Sequence, residues 1–269
     1  MRQTLFTLVL LWTFFLNIGN CQAQEPVYQW SWKSNAYIIG ASAGVYVGGV
    51  YLLNNADKIT SQDLEGLEVN RLLPFDRGAV WNSSTNADKF SDYILFGSAI
   101  APFALYLDKK CSKQGVIVGL MGVETFLING ALSNTAKGLT KRFRPYTYNV
   151  AIPLETRLND EARFSFVSGH VSATASFSFF TAKVFSDLHP NSKWKPYVWA
   201  GAATLPAVVG YLRFEAGRHF PTDIIGGYLI GAATGYLVPH FHKNKKEEGL
   251  SFDLAPVNNG MLLSAAYRW

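Results

Sequence analysis

Six stretches of this chain are apolar over lengths that suit helices, and charged or turn-rich segments separate them. They cover residues 36–53, 93–107, 115–132, 171–185, 197–212 and 224–239. None alternates apolar and polar positions along its length, so the pattern predicts helices and a mainly α fold, a bundle of about six core helices. Residues 54–90 are polar and mixed in charge, with Pro74 and Gly78, and read as a surface segment. Residues 243–250, KNKKEEGL, form a charged break. The tail, 251–269, is expected to be irregular or a small hairpin turning at Asn258-Asn259-Gly260.

The N-terminus has a different pattern. Arg2 precedes the apolar run LFTLVLLWTFFL, and Cys21-Gln22-Ala23 offers small residues for cleavage. Residues 1–23 therefore read as a secretory signal, with an uncleaved anchor or a lipidated Cys21 as alternatives. The expected division is a signal over 1–23, an N-terminal helix and polar segment over 24–90, a core over 91–242, and a break and tail over 243–269. Cleavage leaves Cys111 alone, so an exported fold must hold without an internal disulfide.

Composition narrows the class. The chain has 269 residues, 49% hydrophobic and 14% aromatic but only 16% charged. Mean hydropathy is +0.08, between a helical soluble protein and a modest membrane protein. The apolar stretches sit at or just below the roughly 20 residues that a span requires. The basic runs at 108–113, 193–195 and 243–246 alternate with the chemistry-bearing segments. If those runs are cytoplasmic, the chemistry faces the other side, the periplasm of a bacterial inner membrane. A cleaved signal conflicts with that count if residues 36–53 span, so this segment is expected to pack or lie at the interface. A soluble periplasmic protein is the alternative. The net charge of +5 suits anionic substrates or a membrane surface, and no basic-aromatic cluster points to nucleic acid. No obligate protein partner is evident.

Three short motifs carry the chemistry. Lys137 is followed seven residues later by Arg144-Pro145; then comes Ser168-Gly169-His170; then Arg213, His219 and Asp223 follow at spacings of six and four. Three cations suit a phosphate-like dianion, and arginine adds a bidentate fork. Two histidines supply a nucleophile and a proton donor. An aspartate four residues after His219 lies one helical turn away, where it could orient the imidazole. Singly, each piece is ordinary: a snorkelling lysine, a helix stop, a turn, a local His–Asp pair.

At these residues the chain resembles the type 2 phosphatidic acid phosphatase superfamily, which also contains vanadium haloperoxidases and bacterial nonspecific acid phosphatases. The family pattern is K-x6-R-P, P-S-G-H and S-R-x5-H-x3-D; here Val167 and Leu212 stand where proline and serine are usual. The resemblance implies a membrane-associated, metal-independent phosphatase working through a phosphohistidine. His219 would be the nucleophile, Asp223 its support and His170 the acid. Lys137, Arg144, Ser168, Gly169 and Arg213 would bind the phosphoryl oxygens. The implied substrate is a lipid phosphate or diphosphate. A soluble acid phosphatase acting on small esters and a vanadium haloperoxidase are the alternatives. Vanadate is expected as an inhibitor, or as a cofactor only in the last case; otherwise no cofactor is expected. Arg142 and Arg218 lie beside the motifs and read as surface charges, with contact to substrate the alternative, and His189, His240 and His242 read as solvated. Glu124 reads either as a buried functional carboxylate or as a sign that its helix does not face lipid.

Overall fold

The computed structural model describes residues 26–244 and the backbone of 249–257 and 260–268. Among them are six long helices: α1 (Trp32–Asn54), α2 (Thr85–Ala104), α3 (Gly115–Thr140), α4 (Gly169–Leu188), α5 (Lys195–Glu215) and α6 (Pro221–His242). The expected helical bundle is present. Two antiparallel strands, β1 (Gly249–Val257) and β2 (Gly260–Arg268), close the chain with Val257 opposite Gly260. The tail is thus a hairpin; its turn at Asn258-Asn259 lies outside the described residues, as does the proposed signal over 1–23.

Local chemistry sets several boundaries. Ser84 caps α2 by accepting from the Ala87 amide, so this helix starts six residues inside the segment expected to be polar surface. Pro221 opens α6 at a position where a missing N–H costs nothing. The α3 helix runs eight residues beyond its apolar stretch and stops where Lys141 turns left-handed, at φ 45°. That extension places Lys137 in its last turn.

Helix α4 is central, packed against α6, α5, α2 and α3. Its buried face is built from small residues, including Ser172, Ala175 and Ser176. Facing them on α6 are Gly227, Gly231 and Gly235, one turn apart. A Cβ on these glycines would lie 2.5, 2.1 and 2.4 Å from the carbonyl oxygens of Ser168, Ser172 and Ser176. The two backbones therefore touch along three turns.

Helix α1 is the outermost of the long helices. It packs along α3 and runs from one end of the bundle to the other. At its start, the Tyr28 amide donates to Gln114 Oε1 at 2.9 Å and the Gln29 amide to the His242 carbonyl at 2.9 Å. At its finish, Leu53 and Asn54 line the same cavity as His219. The segment 36–53 thus packs along α3, one of the two outcomes expected for it, and extends from one end of the bundle to the other. Among the described residues, four helical segments are long and apolar enough to cross a membrane: Trp32–Asn54, Thr85–Leu107, Gly115–Thr147 and Pro221–His242. Large apolar side chains such as Tyr37, Val47, Phe96, Ile100 and Leu229 stand exposed on them.

The bundle's second end gathers the basic runs. Lys110 Nζ donates to the Leu188 carbonyl, and Lys183 and Lys243 both bind Asp187. His242 is not solvated: it is buried, stacks on Trp30 and lies 3.3 Å from the buried Glu124. Glu124 thus faces the bundle interior. His189 pairs with Asp108 at 3.1 Å.

The glycine seam makes a paired prediction for thermal unfolding in detergent. Gly231→Ala, whose methyl meets a backbone oxygen, should cost about 1–3 kcal/mol. Gly201→Ala on α5, where a Cβ meets nothing within 4 Å, should instead gain up to about 1 kcal/mol from helix propensity. Equal effects would show that α4 and α6 do not touch along this seam.

Candidate active site

The three motifs converge at one end of the bundle. Lys137 ends α3, Ser168 and Gly169 start α4, Arg213 ends α5, and His219 lies just before α6. Gly217 makes the last placement work. It takes φ +65°, and a Cβ there would lie 2.0 Å from the Asn82 carbonyl oxygen, so the chain can reverse between Arg213 and His219 only with glycine. Arg144 sits in the loop after α3, its amide donating to the Ala162 carbonyl at 2.7 Å.

A cavity of about 540 Å³ is lined by Lys137, Arg144, Gly169, His170, Arg213 and His219, together with rim residues from 53–58 and 160–164. Arg144 and Arg213 are 6% and 4% exposed and His219 is 1% exposed, so the cations and imidazole form a buried floor. Lys137 Nζ lies 2.8 Å from where a Cβ on Gly169 would stand, so any side chain there would displace the ammonium. Arg144 Nε, Arg213 Nε and Ser168 Oγ are buried and have no partner.

His219 has a defined tautomer. Its Nδ1 lies 2.8 Å from the Ser165 carbonyl oxygen, which can only accept, so Nδ1 carries the proton and Nε2 keeps its lone pair. Here an expectation is corrected. Asp223 does not hold the imidazole directly: its Oδ2 is 3.9 Å from Nδ1. It accepts instead from the Ser165 hydroxyl at 2.5 Å, the Phe220 amide at 2.9 Å and Arg142 Nη1 at 2.6 Å. The carboxylate points back along its own helix start, and Ser165 comes between. Burial, then the charges of Arg144, Arg213 and Lys137, push the His219 pKa well below its ordinary value.

Several residues that the motifs omit hold the site together. Asp88 accepts from Arg213 Nη1 at 2.5 Å and from Arg218 Nη2 at 2.6 Å. Asp92, one turn later on α2, pairs with His170 Nε2 at 2.7 Å. Arg142 bridges Asp76 at 2.7 Å and Asp223, with its guanidinium 4.3 Å from the Phe220 ring centre. Asp76 also accepts from the Thr222 amide and hydroxyl. Arg142 and Arg218 are therefore not surface charges. Two carboxylates four apart at the start of an apolar helix, Asp88 and Asp92, were a readable signal. Among the described residues, no group of three His, Cys, Asp or Glu is arranged to hold a metal.

Residues 117–247 match the model of the PAP2 superfamily. The chain is 28% identical over 149 residues to a lipid A 4'-phosphatase of Porphyromonas gingivalis, covering 54% of this chain and 59% of that one. It is 30% identical over 129 residues to phosphatidylglycerophosphatase B of Bacillus subtilis, covering 48% and 60%. It is 26% identical over 121 residues to an undecaprenyl-diphosphatase of Sulfolobus acidocaldarius, covering 45% and 53%. The chain thus spans a little over half the length of these curated relatives. A solved transmembrane PAP2-type phosphatidylglycerolphosphate phosphatase from Bacillus subtilis aligns with a TM-score of 0.43 at 22% identity, over 88% of this chain and 92% of that one.

The electrostatics give a direct test by histidine NMR. The His219 imidazole should remain neutral, with the proton on Nδ1, at pH 6.5, where a free imidazole is half protonated. The sign follows from burial and three adjacent cations, all of which disfavour the imidazolium. A midpoint at or above 6.5 would contradict this environment.

Proposed function

Residues 117–247 belong to the PAP2 superfamily, and from that premise we propose that the chain is a phosphatase hydrolysing a lipid phosphate through a phosphohistidine. One observation carries the reading. An imidazole with a free Nε2 lies in the same cavity as two buried guanidiniums, each with an unpartnered Nε. A buried donor left unpaired costs about 1–3 kcal/mol, and phosphoryl oxygens in the cavity would satisfy both arginines together.

The chemistry runs in two steps. His219 Nε2 attacks phosphorus, and the bond to the leaving oxygen breaks on the opposite side. The imidazolium that forms keeps its Nδ1–H on the Ser165 carbonyl. Asp223 fixes Ser165, so it positions the nucleophile at one remove. Lys137, Arg144 and Arg213 hold the non-bridging oxygens, supported by free amides at the start of α4. His170 gives its proton to the leaving oxygen, with Asp92 holding its other edge, and later takes one from the attacking water. Water then splits the phosphorus–nitrogen bond and releases phosphate. The cations neutralise charge without a metal. His219→Ala should abolish turnover, acid quenching should trap labelled phosphate on the native protein, and EDTA should leave the rate unchanged. Undiminished hydrolysis by the alanine variant, or loss of activity in EDTA restored by magnesium, would overturn the mechanism.

The exposed apolar flanks of α1, α2, α3 and α6 favour a protein within a bilayer, with the cavity at one face. A lipid phosphate would reach it with its chains still in the membrane. Lysines at 109, 110, 113, 193, 195 and 243 mark the other end, which we place in the cytoplasm, with the site facing the periplasm. Because α1 crosses, residue 26 lies at that basic end, and a leader cleaved during export would require the opposite orientation. Single cysteines test this in a background with Cys21 and Cys111 replaced. Val150 and Asn191 are both exposed, at opposite ends. An impermeant thiol reagent on intact cells should label Val150→Cys and spare Asn191→Cys. The reverse would mean a cleaved leader and a cytoplasmic site.

A further inference from the structure

The floor and the mouth of the cavity carry opposite charge. The floor holds Lys137, Arg144 and Arg213. The mouth holds Asp57, Asp160 and Glu161, with Lys58 the one cation among them. The mouth is solvent-accessible: the Asp57 and Glu161 side chains are 88% and 74% exposed. Asp57 lies 4.0 Å from Lys141 Nζ, and Glu161 Oε2 lies 3.4 Å from Arg144 Nη2, a contact on the outer side of that guanidinium. Asp160 has no ion-pair partner among the described residues, and it stands at the first position of a short helical turn that Asn159 caps. The guanidiniums beneath are more than nine-tenths buried, with an unpartnered Nε each, which fixes where the reacting phosphoryl group would lie.

In-line displacement then decides what the mouth sees. The leaving oxygen departs on the side of phosphorus opposite the attacking nitrogen. His219 is on the floor, so the leaving group projects outward, between Asp57 and the 160–161 turn. The leaving group of a phosphomonoester is an alcohol. That of a diphosphate is a second phosphoryl group, which would have to occupy a mouth lined by three carboxylates and one lysine. Like charges at this range disfavour it, and hydroxyl donors on an alcohol would be accepted by the same carboxylates.

Building on the phosphatase reading, we infer that Asp57, Asp160 and Glu161 form an acidic rim that selects phosphomonoesters over diphosphates. The rim excludes the second phosphate rather than improving binding of the first, so its removal acts mainly on one substrate.

The test compares kcat/KM for dioctanoyl phosphatidate and farnesyl diphosphate, each in the same neutral detergent micelles at low ionic strength. Native protein should favour the monoester. The double variant Asp57→Asn/Asp160→Asn, at two exposed positions, should narrow that preference by about tenfold, chiefly by raising kcat/KM for the diphosphate. Raising the salt should narrow it in the native protein, since exposed charges are screened over about 8 Å at physiological ionic strength. A native preference for the diphosphate would overturn the inference, as would a ratio that neither the variant nor salt moves. Phosphate release from neither substrate by the native protein would overturn the hydrolase reading, and this inference with it.

Discussion

Three cations and a neutral imidazole must share one buried cavity, and the rest of the molecule is arranged around that constraint. Removing a charge from water costs several kcal/mol even in a relaxed protein. Part of the compensation comes from helix direction. Lys137 and Arg213 stand in the last turns of α3 and α5, where the helix dipole favours positive charge. Ser168 and Gly169 stand at the first turn of α4, where it favours an anion. The rest comes from carboxylates behind the cations. Asp88 takes one oxygen to Arg213 and the other to Arg218, so the arginine fork is held from its far side while Nε stays free. Helix α2 contributes no motif residue, yet it supplies this counter-charge.

The imidazole depends on a second, separate network. Arg142 is clamped between Asp76 and Asp223, and Asp223 in turn holds the Ser165 hydroxyl, whose own carbonyl fixes His219 Nδ1. The negative charge of Asp223 thus acts on the imidazole through Ser165 rather than by direct hydrogen bond. A carboxylate in direct contact would raise the imidazole's affinity for a proton; a carbonyl orients the ring while favouring the neutral form less strongly perturbed. The glycine seam between α4 and α6 is what lets these parts meet. It draws the start of α4 against the start of α6, where the Ser168 amide reaches the Asp223 carbonyl at 3.0 Å.

The motif residues were legible because their spacing within three short stretches between the apolar segments could be read together. The seven polar members and Gly169 could be placed without coordinates, and all but Ser168 and Asp223 line the cavity; those two are fully buried beside it. Asp76 was not legible, because a single acidic residue in a polar segment looks like a solvated charge until its partner is known; the four-residue spacing of Asp88 and Asp92 was a signal, but it named no partner. Arg142 was misread for the same reason. The path of α1 was hidden differently. Its uncharged, Gly- and Tyr-rich composition fits a span, and only a charge count built on a cleaved leader argued against it. The direct His219–Asp223 contact failed because spacing of one helical turn fixes proximity, not which carbonyl comes between.

The site also divides by origin. Its floor is made by the ends of packed helices, within the region that matches the family model. Its mouth is made partly by segments without regular structure, and 53–58 lies outside that region altogether. Packed helix ends tolerate little change, because every shift moves a buried charge away from its counter-charge. Connecting segments carry no such penalty and can exchange one exposed side chain for another. The named relatives are a lipid A 4'-phosphatase, a phosphatidylglycerophosphatase and an undecaprenyl-diphosphatase, and each shares no more than about a third of its aligned residues with this chain. Identity within 117–247 therefore bears first on the floor, while the segment after α1 lies outside that match and is held by no buried charge pair among the described residues.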